Sequence, residues 1–175
     1  MSTTTELPES PSTASLGLAE LLDYSDHERR KWQLWVEADP SRLKIPFHAA
    51  GRFATIGHVL DHVFLVERRH LARLEGGTAP EATGVTADDA EGLFDYANFV
   101  RADFRHYLSE LNGALGAETL TFTATGGSFS MTRRKLACHV LLHEIRHLAQ
   151  IAYAARQAGV EPPPELDLIF FREMA

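Results

Sequence analysis

A chain of 175 residues, 45% of them hydrophobic, is long enough to bury a core and short enough to form one domain. Its 17 basic residues against 24 acidic ones leave a formal net charge of -7, the wrong sign for neutralising phosphates along DNA or RNA, so no nucleic-acid partner is expected. Cys138 is the single cysteine, which excludes an intramolecular disulfide and fits a cytoplasmic location, and no run of eighteen apolar residues offers a membrane span.

The first fifteen residues, MSTTTELPESPSTAS, combine acids, prolines and small polar residues without an apolar run. They read as a disordered leader rather than a signal peptide or an anchor, ahead of a domain from 16 to 175. Leu18, Leu21, Leu22, Trp32, Trp35 and Val36 recur at helical spacing among charges and predict a first helix from Leu16 to Glu37, ended by Asp39-Pro40. A loop with Pro46 and Gly51 leads to a second helix, Thr55 to Glu75, which Gly76-Gly77 closes before a polar linker to Gly84. Thr86, with Asp89 three residues on, resembles an N-terminal cap and predicts a third helix reaching about Asn112, before Gly113. The stretch ETLTFTATGGSFSMT, from Glu118, alternates β-formers with small polar residues around Gly126-Gly127 and predicts a short hairpin. A fourth helix from Thr132 to Ala158 is stopped by Gly159 and the Pro162-Pro163-Pro164 run. Four long amphipathic helices with short connectors predict an all-α four-helix bundle, with the hairpin between helices three and four.

The fourth helix contains His143-Glu144-Ile145-Arg146-His147, which matches the H-E-x-x-H signature of zinc peptidases. Two histidines four apart lie one turn apart on the same helix face, so both imidazoles can reach one cation. On a helical wheel with His139 as zero, the apolar arc runs from about 60° to 180°; His147 falls at about 80°, inside it, and His143 at about 40°, on its edge. His139 shares its side with Arg146, Gln150 and Gln157, so His143 and His147 are the better ligand pair. On the second helix His62 borders the apolar face, whereas His58 points further out. Bundle metal sites are built in this way, from side chains on facing helices.

Two carboxylates remain to be placed. Glu67 falls within the apolar side of the second helix, where an ionised group needs a partner; it either supports a metal ligand or forms half of a buried pair. Glu144 is either a catalytic general base or a buried group paired across the bundle. The peptidase reading is poorly supported: the metzincin continuation requires glycine at 150 and histidine at 153, where this chain has Gln150 and Tyr153, and one hairpin is a poor substrate-binding sheet.

Two segments carry a family resemblance. ATIGHVLDHVFLVERRHLARL, 54 to 74, resembles the second helix of the DinB/YfiT-like superfamily, with a histidine five residues before a glutamate, as in His62 and Glu67. HVLLHEIRHLAQIAYAARQAGVEPPPELDLIFF, 139 to 171, is similar to that superfamily's last helix and tail, in which the second and third histidines of an H-x-x-x-H-x-x-x-H run bind metal. The resemblance implies an up-down-down-up four-helix bundle, often a homodimer, with a divalent metal on His62, His143 and His147 and an open position facing a pocket. The family name records DNA-damage induction, a stress response, and does not imply DNA binding. Related branches include transferases and isomerases that use low-molecular-weight thiols such as bacillithiol or mycothiol.

Three functional readings follow. The first is a metal-dependent thiol S-transferase-like enzyme acting on a small-molecule electrophile. The second is a metallohydrolase using Glu144 beside His143 and His147. The third is a non-catalytic, dimeric metal-binding bundle. Imidazole donors suit zinc, nickel, copper or iron, and manganese is a further possible ion at such a site.

Overall fold

Apolar side chains three and four residues apart create the stripes by which the helices pack. The computed structural model describes residues 16–47, 51, 53–124 and 126–172; the expected leader, 1–15, lies outside them. In chain order the elements are α1 (Leu18–Ala38), a 3-10 turn (Pro40–Lys44), α2 (Ile56–Leu74), α3 (Ala90–Glu110), a short α4 (Gly113–Ala117), strands β1 (Thr119–Ala124) and β2 (Gly127–Thr132), α5 (Arg133–Gln157) and a final 3-10 turn (Leu168–Phe170). The described residues are therefore mostly helical, with four long helices and one two-stranded antiparallel sheet. Among the described residues no helix is long and apolar enough to cross a membrane.

Helix ends are set by caps. The third helix starts three residues later than a cap at Thr86 suggests, because the Asp89 carboxylate accepts the Gly92 N–H at 3.0 Å and takes the capping role. Its C-terminal end is also earlier, at Glu110, since Asn112 opens α4 by accepting the Leu115 N–H at 2.9 Å. Thr132 caps α5 through a bond from the Lys135 N–H at 3.2 Å. The hairpin pairs Phe122 with Phe129 and Ala124 with Gly127; Gly126 and Gly127 have φ of 102° and 131°, a region glycine enters without steric cost.

Helix α2 packs on α3 and α5, and α1 packs on the same two helices. Two apolar clusters result. One gathers Trp32, Phe64, Phe94, Leu148 and Ile151; the other gathers Leu22, Leu71, Phe104, Leu136 and Leu141. The 76–89 linker is held close to α2: a Cβ on Gly57 would lie 1.8 Å from the Ala87 carbonyl oxygen, so only glycine permits that approach. Thr83 donates its hydroxyl to Asp61 at 2.5 Å, and Arg69 donates to the carbonyls of Pro80 and Glu81 at 2.7 and 2.6 Å. The C-terminal tail returns to α1, where Tyr24 donates to the Leu166 carbonyl at 3.0 Å and Trp35 to the Glu161 carbonyl at 2.8 Å.

A charged layer separates the two apolar clusters, and each long helix contributes to it. Arg29 comes from α1, Glu67 from α2, Arg101 from α3 and Glu144 from α5, all buried. Along every helix the charged residue falls between members of the two clusters, as Glu67 falls between Phe64 and Leu71, and Glu144 between Leu141 and Leu148. Arg29 donates to both glutamates, with its Nε 2.6 Å from Glu144 Oε1 and its Nη2 on Glu67 Oε2. Arg101 completes the ring, with its Nε 2.6 Å from Glu67 Oε1 and its Nη2 2.5 Å from Glu144 Oε2. Ser25 adds a hydroxyl donor to Glu144 at 2.7 Å. Glu67 is thus part of a buried ion-pair network, which settles which of its two expected roles the fold gives it.

Candidate metal centre

The α2–α5 packing brings three histidines together. His62 of α2 faces His143 and His147 of α5, with ring centroids 5.2 and 5.3 Å away, while the latter two rings are 4.4 Å apart. One nitrogen from each of the three can be chosen so that all lie within 4.8 Å of one another, an arrangement that can hold a metal ion. His143 Nε2 and His147 Nε2 are 3.2 Å apart. Two ligands of a tetrahedral ion with metal–nitrogen bonds of about 2.0–2.1 Å stand about 3.3 Å apart, so the pair fits without rearrangement. All three rings are half-buried, and Phe53 packs on His62 at 4.8 Å and edge-on to His147 at 6.2 Å.

Electrostatics favours the metal-binding form of the His143 ring. Burial, and then the neighbouring His147 and His62, push the His143 pKa down to about 3, so its imidazole is neutral at pH 7 and has a lone pair to give. No acidic residue belongs to the trio.

The site opens into a cavity of about 620 Å3 whose wall includes His62 and His143. The hairpin forms another side through Phe122, Phe129 and Met131, and the tethered linker closes a third through Ala79, Pro80 and Glu81. Two residues given no part by the wheel arguments, or set aside by them, also lie here. His70 is buried on α2, and its ring stands 5.3 Å from His139, whose ring is in turn 5.6 Å from His143. Burial, with Arg73 next in effect, pushes His70 down to about 3. His139 is exposed at the cavity rim beside the trio, and His58 is exposed with its Nδ1 2.8 Å from the Thr55 hydroxyl.

Glu144 lies on a different side of α5 from its neighbouring histidines' shared site. It is 1% exposed, and its carboxylate oxygens are engaged by Arg29, Arg101 and Ser25. Burial alone raises its pKa, but the two guanidiniums outweigh that and hold the carboxyl well below its ordinary range. The H-E-x-x-H letters therefore describe two histidines on one face and a structural anion on another.

Four long helices, a hairpin and a three-histidine cluster that can hold a metal define a class of helical proteins with a candidate metal centre. The sequence pattern of the DinB family matches residues 1–175, the whole chain, and the protein belongs to that family. No curated protein matches it in a sequence comparison.

Proposed function

We propose that His62, His143 and His147 bind one divalent cation and that the protein is a metal-dependent enzyme of thiol S-transferase type, acting on a small electrophile. The observation that carries this reading is that two of the three clustered histidines also line a cavity large enough for a small organic molecule. Three neutral histidines leave a bound ion its full charge, which favours deprotonation of a thiol, or of a water, at a remaining coordination position. Zinc, nickel, iron and manganese are the proposed ions.

The chain's own residues would position the reactants. The ring of Arg29, Glu67, Arg101 and Glu144 fixes α5 against α2, and with it the facing of His143 and His147 toward His62. Phe53 shields one side of the trio from water. The apolar wall of Val66, Phe122 and Met131 would hold the electrophile's hydrocarbon part. A hydrolase using Glu144 as general base is disfavoured, because that carboxylate is already held by two arginines.

In the same reading residues 16–175 form one up-down-down-up bundle in the cytoplasm, and two copies associate. Support for association comes from Leu142 and Tyr153 of α5, which stand 55% and 66% exposed. The test of the chemistry is cobalt substitution. Adding a low-molecular-weight thiol such as bacillithiol, mycothiol or glutathione is expected to produce a sulfur-to-metal absorption band, absent in His143→Ala. No spectral response to any of these thiols, with cobalt bound, overturns the transferase reading.

A further inference from the structure

The cavity beside the three histidines has a charge opposite to that of the molecule. The chain carries a formal charge of -7, yet Arg69, Arg73 and Lys135 line this cavity against one acid, Glu81. Among the described residues none of the three cations forms an ion pair with a carboxylate, and they differ in how far the main chain engages them. Arg69 is occupied by the Pro80 and Glu81 carbonyls. Arg73, by contrast, is paired with no carboxylate among the described residues: its Nη1 lies 3.1 Å from His70 Nδ1, and its guanidinium sits 4.7 Å over the Phe122 ring. Lys135 is exposed and likewise without an acidic partner among the described residues.

These contacts prepare Arg73 for a ligand. An arginine has no acceptor, so in its bond with Nδ1 of His70 the guanidinium donates and the histidine accepts. The Phe122 ring and His70 together hold the guanidinium in one place, while Nε and Nη2 have no hydrogen-bond partner among the described residues. Two parallel N–H donors on one edge of a planar cation match the two oxygens of a carboxylate. Around them, Val66, Phe122, Phe129, Met131 and Leu136 supply an apolar wall suited to an organic acid rather than an inorganic anion.

We infer that Arg73 is the carboxylate anchor of this cavity, assisted by Lys135, and that the small molecule it admits is an organic acid with an apolar segment. The inference rests on the proposed function only in placing the reactive end of that acid at the histidine trio. From Arg73 the row of rings runs through His70 and His139 to His143, so the acid spans several imidazole widths between its anchored and reacting ends.

The test uses 3-phenylpropionate and its uncharged amide as probes, with calorimetric titration of the full chain. Metal is first removed with a chelator that is then dialysed away, and the titration is repeated on zinc-loaded protein. The acid is expected to bind both forms, the amide at least tenfold more weakly, and Arg73→Gln to cost the acid at least tenfold with Lys135→Gln costing less. Equal affinity for acid and amide in the wild-type protein overturns the anchor whether or not the variants fold. Binding of the acid only to the zinc-loaded form overturns it also, since the carboxylate would then be a metal ligand. Competition by inorganic phosphate as strong as by a second carboxylate overturns the assignment to organic acids. Failure of zinc to load at all contradicts the metal reading but leaves the arms on stripped protein to decide the anchor.

Discussion

Glu144 and Arg101 meet in the interior, Oε2 to Nη2 at 2.5 Å, and join α5 to α3 at the level where the two apolar clusters part. Removing one member of such a ring leaves buried guanidiniums without their counter-ion, which costs more than the pair itself contributes. Glu144→Gln is accordingly expected to lower the unfolding free energy by about 3 kcal/mol while the folded fraction still loads metal. Urea denaturation followed by metal analysis checks both halves. A variant of unchanged stability that has lost its turnover would instead make Glu144 a catalytic base.

Replacing histidines one at a time separates ligands from neighbours. Loss of metal is expected for His62→Ala, His143→Ala and His147→Ala, and retention for His58→Ala and His139→Ala, because only the first three gather within 4.8 Å. Equilibrium dialysis against zinc reads the outcome. Retention in His62→Ala together with loss in His139→Ala would move the site toward the cavity rim.

Much of this arrangement is legible in the sequence, and the remainder has physical reasons for escaping it. Stripes such as Ile56, Val59 and Val63 on α2 mark their helices because burial repeats with the helical period, and Gly126-Gly127 marks the hairpin because those positions have positive φ. The closeness of His62 to His143 and His147 follows from their places on or beside facing apolar arcs. Arg29 and Arg101 escape notice because a charged residue in a long helix ordinarily faces solvent, and only the assembly of all four helices shows that they share Glu67 and Glu144. His70 lies at about 120° on the α2 wheel, within the apolar arc, and that position was the available signal for it. Thr86 misleads as a cap because Asp89, nearer the helix, offers a stronger acceptor.

A third buried acid, after Glu67 and Glu144, makes stability depend on pH. Glu28 is 4% exposed, its Oε1 accepts no hydrogen bond among the described residues, and Lys31 stands 3.7 Å off. Burial raises its pKa from 4.5 to about 7 despite Lys31. A carboxyl raised in the folded state contributes its stability below the unfolded value of 4.5 and loses it as pH rises through about 7. Glu28→Gln is thus expected to exceed the wild type in stability at pH 8 by about 1 kcal/mol, after allowance for solvent screening, and to match it near pH 4.5. Thermal melts at the two pH values decide; an equal difference at both would dissociate the effect from titration.

The exposed Leu142 and Tyr153 bear on association. Light scattering of the full chain is expected to give twice the 19.4 kDa of one copy, and Tyr153→Glu to shift it toward the monomer. A mass of one copy, unchanged on dilution from micromolar concentration, would rule the dimer out.

The most direct measurement is the metal content of the protein purified without a histidine tag, compared with the same preparation of His143→Ala. One tightly held divalent ion per chain, lost in the variant, is the result expected of a centre built on His62, His143 and His147. A trace content that is the same in both proteins, and that does not rise on incubation with zinc, nickel, iron or manganese, would contradict it.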